Sequence, residues 1–210
     1  MKIFRFTIAV VLTSAVLFSC DTAKKVKETT DNLSAAKNAA ENMQEGMEAA
    51  NKRIEERKAK GDTLAMPYKD LQAYLPSISG YTADGGPSGS TTNMMGFSLS
   101  TCEQNYKKGD SNIKVKITDY NAGYSAFMGI TAMMKAGFSS EDDNQKAGGV
   151  NMGVDGVAGY ETIYKKDKRA QLILAIADRF YIELEGDNLD NSEALQTIAK
   201  DMKLSDLAAK

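Results

Sequence analysis

The stretch RAQLILAIADRFYIELEG, residues 169–186, is typical of two short β-strands joined by a tight turn. Both halves are rich in β-branched, aromatic and other apolar residues, and Asp178 lies near the point at which the chain must reverse. Another pair of strands is predicted upstream, over GFSLSTCEQNY (residues 96–106) and SNIKVKITDY (residues 111–120), with the turn KKGD between them. Because polar and apolar residues alternate in these two strands, the sequence predicts an antiparallel hairpin with one face in water.

The alternation also predicts which side chains share a face of this hairpin. The expected apolar face carries Phe97, Leu99 and Thr101 from the first strand and Ile113, Val115 and Ile117 from the second. Serines and lysines occupy the alternate positions, so we expect those to face water. Further short strands are predicted around GGVNMG (residues 148–153) and GVAGYETIY (residues 156–164).

Helical spacing of apolar residues marks three other segments. These are PYKDLQAYLP (residues 67–76), YSAFMGITAMMKAGF (residues 124–138) and the segment after Asp190, where Glu193 completes a capping-box-like pattern. The order of helices and strands predicts a globular α+β domain over residues 64–210, an antiparallel sheet flanked by helices.

A long N-terminal helix is expected before this domain, over residues 24–60, which contain no proline, one glycine and many good helix formers. The heptad positions of this helix are Val26, Thr29, Leu33, Ala36, Ala40, Met43, Met47, Ala50, Ile54 and Arg57. Three arrangements remain open: a solvated spacer, a weak coiled coil with a second copy or a protein partner, and a helix that packs on its own domain. Within GDTLAMP (residues 61–67), Gly61 is predicted to end the helix. Residues 20–63 are therefore predicted to form a spacer that begins at Cys20 and precedes the globular domain.

The first twenty residues are typical of an export signal. Lys2 and Arg5 precede an apolar run over residues 6–18, which is too short to span a bilayer as a helix. Leu17-Phe18-Ser19-Cys20 resembles the lipobox of bacterial lipoproteins. The resemblance implies that residues 1–19 are a signal peptide, that the Cys20 thiol is acylated, and that the mature protein is a lipid-anchored protein of the cell envelope.

The resemblance to a lipobox does not indicate whether the protein is anchored in the inner or the outer membrane. Asp21 is similar to an inner-membrane retention signal of some bacteria, but most lipoproteins go to the outer membrane, which we therefore favour. Whether the domain faces the periplasm or the outside stays open. Acylation of Cys20 would leave Cys102 without an intrachain partner, and we expect Cys102 to be a small buried hydrophobic residue.

The order of elements over residues 64–210 resembles the PsbP-like class of α/β/α sandwiches. The ending GY-E, RAQLILAIADRFYIELEG and EALQTIAKDMKLSDLA also resembles domains of uncharacterised bacterial envelope proteins. Members of the PsbP-like class act mostly as accessory or binding modules, so the resemblance implies a non-enzymatic role. No functional residue is carried over from it.

The residue types needed for common catalytic and metal sites are scarce. The chain contains no histidine, which excludes Ser-His-Asp and Cys-His nucleophiles and His-ligated zinc. A net charge of −2 gives no reason to expect a nucleic-acid partner. We therefore expect no catalytic residue, no cofactor and no metal ligand.

Weaker clusters each have a simpler interpretation, which we favour. Glu141, Asp142, Asp143 and Asn144 could hold Ca²⁺ but are typical of a solvated loop. Six methionines could suggest a Cu(I) site but are typical of core filler, namely Met94, Met95, Met128, Met133, Met134 and Met152. Five tyrosines could line a small-ligand cleft or simply edge the sheet, namely Tyr106, Tyr120, Tyr124, Tyr160 and Tyr164. Two functions remain: a lipid-anchored module that acts by contact, and a lipid-anchored binding protein for a small ligand.

Overall fold

The computed structural model describes residues 37, 40, 41, 44–94, 97–121, 131, 134 and 137–210. The chain divides into two compact units, Met1–Asn38 and Ala39–Lys210, and every described residue except Lys37 belongs to the second. The predicted signal peptide, Cys20 and the first part of the predicted long helix lie outside the described residues. No helix in the described part has the length and apolar character that crossing a membrane requires.

Nine strands of the described chain form a single sheet in which every strand pair is antiparallel. The strands are β1 (Thr82–Ala83), β2 (Ser88–Met94), β3 (Phe97–Lys108), β4 (Ser111–Asp119), β5 (Ser140–Glu141), β6 (Gln145–Val150), β7 (Val157–Tyr164), β8 (Arg169–Ile176) and β9 (Phe180–Asp187). Their order is β1-β3-β4-β9-β8-β7-β6-β5, and β2 also pairs with β3. Since β4 occupies one side of β3, β1 and β2 follow one another along its other side, at the edge of the sheet.

The described helices are α1 (44–59, with residues 37, 40 and 41 before it also helical), α2 (Tyr68–Leu71), α3 (Glu193–Asp201) and α4 (Leu204–Ala208), and a turn of 3₁₀-helix over Gln72–Tyr74 follows α2. Residues 131 and 134 are helical as well. The described helices after α1 are short.

The hydrophobic core lies between one face of the sheet and the helices α2, α3 and α4. Strands β4, β8 and β9 alternate, so that Val115, Leu172 and Ile182 are fully buried on this face. Leu195 of α3 and Leu207 of α4 are fully buried in the same core. Each such side chain contributes about 1.5–3 kcal/mol by leaving water, which makes this layer the main source of stability.

The opposite face of β3, β4 and β9 carries charged side chains in register. Lys116 lies opposite Glu183, and its Nζ is 3.2 Å from the Glu183 carboxylate. Lys114 reaches Glu103 at 3.0 Å. Opposite charges on neighbouring strands stabilise the sheet modestly and keep this face wet.

Helix α1 contacts the chain's own domain through its heptad positions. Ala50 and Ile54 are buried together, and Met47 and Tyr120 pack against them. Arg57, the next heptad position, donates from Nη2 to the Asp178 carbonyl oxygen at 2.9 Å. In the described part of the predicted helix, packing on its own domain is therefore the arrangement observed among the three that the sequence left open.

The predicted fold class is wrong. We expected an α+β domain, an antiparallel sheet flanked by helices of PsbP-like type, after a long N-terminal helix. The described chain is instead dominated by the nine-stranded antiparallel sheet, and its helices are few and short. A long N-terminal helix is not seen; the described helical residues of that segment are 37, 40, 41 and 44–59. The predicted helix over residues 124–138 lies mostly outside the described residues.

One hairpin prediction is confirmed, whereas the predicted faces of another strand are wrong. The hairpin over 169–186 is confirmed as β8 and β9, with its turn at Ala177 and Asp178. The predicted faces of β3 are inverted, because Ser98 and Ser100 are buried while Phe97 is exposed. The physical reason is that each serine hydroxyl has a hydrogen-bond partner inside the fold, as described below.

The expected start of the last helix is also corrected. Helix α3 begins at Glu193, whose backbone N–H donates to the Asn191 side chain at 3.0 Å. The polar group near the helix start is thus Asn191, and not Asp190 as predicted.

Candidate contact surface

The β2–β3 hairpin differs in composition from the rest of the chain. Residues 85–102 contain no Asp, Glu, Lys or Arg, although 26% of the residues in the chain are charged. Within the hairpin, Met94 pairs with Phe97 at the turn end and Ser88 pairs with Glu103 at the other end. All but one residue of β2 are exposed, and its one strand partner in the described sheet is β3. The hairpin therefore presents an uncharged edge and an apolar end.

Three exposed apolar residues lie at this end of the sheet, a cross-strand pair on the hairpin and Leu64 in the loop beside it. Met94 is 64% exposed, Phe97 41% and Leu64 63%. We call these three residues the apolar tip. Met95 and Gly96, which connect Met94 to Phe97, lie outside the described residues. Phe138 is also a large apolar residue with high exposure, 45%, but it lies beside β5 at the other edge of the sheet.

Hydrogen bonds hold Leu64 beside the hairpin end. The backbone N–H of Ala65 donates to Ser98 Oγ at 2.6 Å, and that hydroxyl donates to Asn93 Oδ1 at 2.5 Å. Ser98 is buried, so both of its bonds are protected from water. Residues 65, 93 and 98 are thereby held together, although they come from a loop and two strands, and Leu64 directly precedes the bonded Ala65.

Another set of contacts braces the middle of the hairpin. Thr91 and Ser100 share a hydroxyl–hydroxyl bond of 2.7 Å across the two strands, and the Tyr68 N–H donates to Thr91 Oγ1 at 2.9 Å. At Gly89 a Cβ atom would lie 2.7 Å from the Thr101 carbonyl oxygen and 2.8 Å from the Tyr68 ring. Glycine is required there because helix α2 approaches so closely.

A buried charge cluster lies at the same end of the sheet. Arg179 donates from Nη2 to Asp119 at 2.9 Å and from Nη1 to Asp62 at 2.8 Å. Asp119 is fully buried and also accepts the backbone N–H groups of Met66 and Asn121, at 2.8 and 2.9 Å. Arg179 and the two backbone N–H groups supply Asp119 with hydrogen-bond donors, so the cluster has the character of a structural clamp.

The turn between β8 and β9 is held by helix α1. Ala177 and Asp178 both have a positive φ, 52° and 50°, a conformation that costs energy for residues other than glycine. Arg53 forms an ion pair with the buried Asp178 carboxylate, and Arg57 donates to the carbonyl oxygens of both turn residues. Burial, more than the nearby charge of Arg179, lowers the pKa of the Arg57 guanidinium. The sequence showed Arg57 only as a break in the heptad seam, and its spacing of four from Arg53 was the available signal.

One cleft of the described chain is open and lined mainly by polar and charged residues. It lies beside β3, β4 and β8, has a volume of about 360 Å³ and is lined by Lys114, Arg169, Glu185 and Asp187 among others. Arg169 is bound to Glu185 at 3.0 Å and stacks over the Tyr164 ring at 4.2 Å. Such a cleft could receive a small polar molecule that carries both charges.

The acidic residues considered for Ca²⁺ are engaged within their own loop. Lys165 binds Glu141 at 2.9 Å, and this contact lowers the pKa of the Glu141 carboxyl. Asp142 accepts the backbone N–H groups of Asn144 and Gln145, which lowers its pKa. Among the described residues, no group of three or more carboxylate or thiol side chains is placed to hold a metal ion.

The methionines and tyrosines do not meet at one site in the described structure. Met94 is in the apolar tip, whereas Met152 belongs to the main core; Met95, Met128 and Met133 lie outside the described residues. Tyr106 is buried and donates from its hydroxyl to the Pro76 carbonyl oxygen at 2.6 Å, while Tyr120 contacts Tyr181 edge-on.

The two cysteines of the chain were also assigned predicted roles. Cys102 is fully buried, and burial raises the pKa of its thiol to about 12. Cys20, the predicted lipidation site, lies outside the described residues. The apolar tip was not foreseen; its available signal was the long uncharged stretch around Met94 and Phe97.

The chain was also compared with known proteins. No protein family, no curated protein and no solved structure matches it.

Proposed function

We propose that the protein is a lipid-anchored cell-envelope protein that acts by contact, as a non-enzymatic interaction module. The observation that carries this proposal is the apolar tip of Leu64, Met94 and Phe97, held at the end of an uncharged hairpin. Exposed apolar groups that a rigid scaffold keeps together favour binding to another surface. Catalysis and a cofactor form no part of the proposal.

The anchor is the second element of the proposal. The lipobox-like residues 17–20 favour acylation of Cys20, and each buried CH₂ of an acyl chain contributes about 0.8 kcal/mol. Two or three chains together hold a protein at a membrane stably. We place the protein at the outer membrane in preference to the inner one, and leave open which side of that membrane it occupies.

The anchor is tested by expressing the whole chain in a bacterial host beside its Cys20→Ser variant. We expect the unchanged chain to fractionate with membranes and to yield an N-terminal peptide that begins at an acylated Cys20. The variant should lose the acyl mass and leave the membrane fraction. An unmodified Cys20 in a membrane-bound protein would contradict the anchor.

Contact through the apolar tip is tested by placing a photo-crosslinking residue at position 97, with position 138 as the matched control. Both positions hold an exposed phenylalanine, at opposite edges of the sheet. We expect crosslinked products in the cell envelope from position 97 and markedly fewer from position 138. Equal yields at both positions would contradict a specific contact surface.

A small-ligand function is the second candidate, favoured by the cleft of about 360 Å³ that brings Lys114, Arg169 and Glu185 together. Thermal unfolding with a panel of small charged metabolites tests it, since a ligand at 100 times its dissociation constant adds about 2.7 kcal/mol. A shift that Arg169→Ala abolishes would support this function. No shift across the panel would leave the contact module as the better proposal.

A further inference from the structure

We propose that the partner of the apolar tip is a lipid bilayer: Leu64, Met94 and Phe97 insert into the surface of the membrane to which Cys20 is anchored. This inference rests on the proposed function, because the lipid anchor is what keeps the tip close to a bilayer. The hairpin would then be a second point of membrane contact, which fixes the orientation of the domain.

The distribution of charge favours lipid. A side chain that enters the boundary between headgroups and acyl chains must be apolar over about 5–10 Å of depth. Glu103 is the first charged residue of β3 after Phe97, and six residues of strand separate the two by roughly 20 Å. On the side of β2, the preceding charged residue is Asp84, which forms an ion pair with Lys107. The tip can therefore enter the bilayer surface without carrying a charge from the hairpin with it.

The charged groups near Leu64 are compatible with this placement. Asp62, two residues before it, is bound to Arg179 and to the Asn121 side-chain amide. Glu55 of α1 pairs with Lys58 at 2.8 Å, whereas Lys60 is exposed. Because Arg179 balances the charge of Asp62, that carboxylate should not repel anionic headgroups, and the exposed Lys60 should be attracted to them.

The chain between anchor and fold is long enough to allow insertion. Residues 21–43 separate Cys20 from helix α1, a length that spans roughly 80 Å when extended and roughly 35 Å when helical. Residues 53–65 are held at the end of the sheet where the tip lies, through Arg53 to Asp178, Asp62 to Arg179 and Ala65 to Ser98. The end of α1 and the loop after it are therefore fastened near the tip.

Pairing of two copies along the free edge of β2 is the competing explanation of the exposed hairpin. That edge is uncharged and lacks proline within the strand, so a second strand could add to it. Lipid is favoured because the apolar side chains lie at the end of the hairpin, and β2 itself is almost entirely Ser, Gly, Thr and Asn. The experiment below separates the two.

The absence of tryptophan from the sequence permits a direct test. The chain from Cys20 onward is coupled through the Cys20 thiol to maleimide lipid in vesicles of phosphatidylethanolamine and phosphatidylglycerol. Cys102 should not compete, because it is buried and its thiol pKa is raised to about 12. Phe97→Trp reports on the tip, and Phe138→Trp is the matched control at the other edge of the sheet. Circular dichroism and melting temperature confirm that both variants fold.

Insertion predicts that bromine-labelled acyl chains quench Trp at position 97 and shift its emission to shorter wavelength. Quenching should be roughly two-fold or more stronger than at position 138, and Met94→Ser should reduce it. Equal quenching at both positions, or none at position 97, overturns the inference. A blue shift that grows with protein density and is insensitive to bromine would identify pairing of copies instead. Since maleimide coupling replaces acylation, failure here leaves the proposed anchor standing, and failure of acylation in cells leaves this test unaffected.

Discussion

Replacing Asp119 by alanine tests whether the buried charge cluster holds the fold together. Asp119 is fully buried and accepts hydrogen bonds from Arg179, Met66 and Asn121. Removing one partner of a buried ion pair costs about 3–5 kcal/mol, because the remaining charge is left in the interior. Asp62 still binds Arg179 at 2.8 Å, so we expect the lower end of that range.

The size of this effect is measurable by chemical and thermal unfolding. For a domain of this size, about 3 kcal/mol corresponds to a fall of roughly 6–12 °C in melting temperature. Urea unfolding of the chain from Cys20 onward, followed by circular dichroism, gives the free energy from the midpoint if the slope is unchanged. Glu56→Ala is the control, since the Glu56–Lys52 pair is exposed and its loss should have no measurable effect.

The double variant Asp119→Leu/Arg179→Met decides the mechanism. If the cost of Asp119→Ala comes from an uncompensated Arg179, removing both charges should restore much of the lost stability. A cost below about 1 kcal/mol for Asp119→Ala, against the 3–5 kcal/mol typical of a broken buried pair, would refute the assigned role. So would a double variant no more stable than the single one.

Three further predictions concern single positions. Gly89→Ala should destabilise the protein by about 1–3 kcal/mol in urea unfolding, because its Cβ would collide with the Thr101 carbonyl oxygen and the Tyr68 ring; no loss would mean that the hairpin shifts freely. Ala177→Gly should raise stability by about 0.5–1 kcal/mol, since glycine adopts the positive φ of 52° without steric cost, and a lower stability would contradict it. The Cys102 thiol, with its pKa raised from 9.0 to about 12, should resist thiol reagents at pH 8 until the protein unfolds. Because the unfolded chain loses this proton first, stability should fall as pH rises above 9, and Cys102→Val should weaken that fall.

Periodicity located the strands better than it assigned their faces. The hairpin of β8 and β9 could be predicted because β-branched residues fill both halves and a turn residue divides them. In β3 the alternation was predicted correctly, but the buried face was assigned to the wrong residues. Ser98 and Ser100 are buried because Ala65 and Thr91 supply hydrogen-bond partners for their hydroxyl groups. The alternation of residue types gives no information about those partners, so a serine in a strand is predicted to face water.

The charge cluster could not be predicted for a related reason. Asp62, Asp119 and Arg179 are far apart in the sequence, and their meeting depends on the strand order of the sheet. The predicted fold class failed because the helices expected to flank the sheet are few and short, whereas nine strands dominate the described chain. For the N-terminal helix three arrangements stayed open, since the apolar spacing of its seam does not say what covers it. In the described part, that seam is covered by the chain's own domain.

The apolar tip is exposed because hydrogen bonds and an ion pair hold its backbone in place, and its exposure does not result from a mobile loop. Asp62 is bound to Arg179 on one side of Leu64, and Ala65 is bound to Ser98 on the other. Leu64 is thus held between two fastened residues and cannot fold back to bury itself without breaking a buried hydrogen bond or an ion pair. The same Ser98 fixes the hairpin strand that carries Phe97. The clamp and the serine network hold large apolar side chains partly in water, at a cost that stays below the about 1.5–3 kcal/mol of full exposure for each side chain, and the proposed contact surface would account for that exposure.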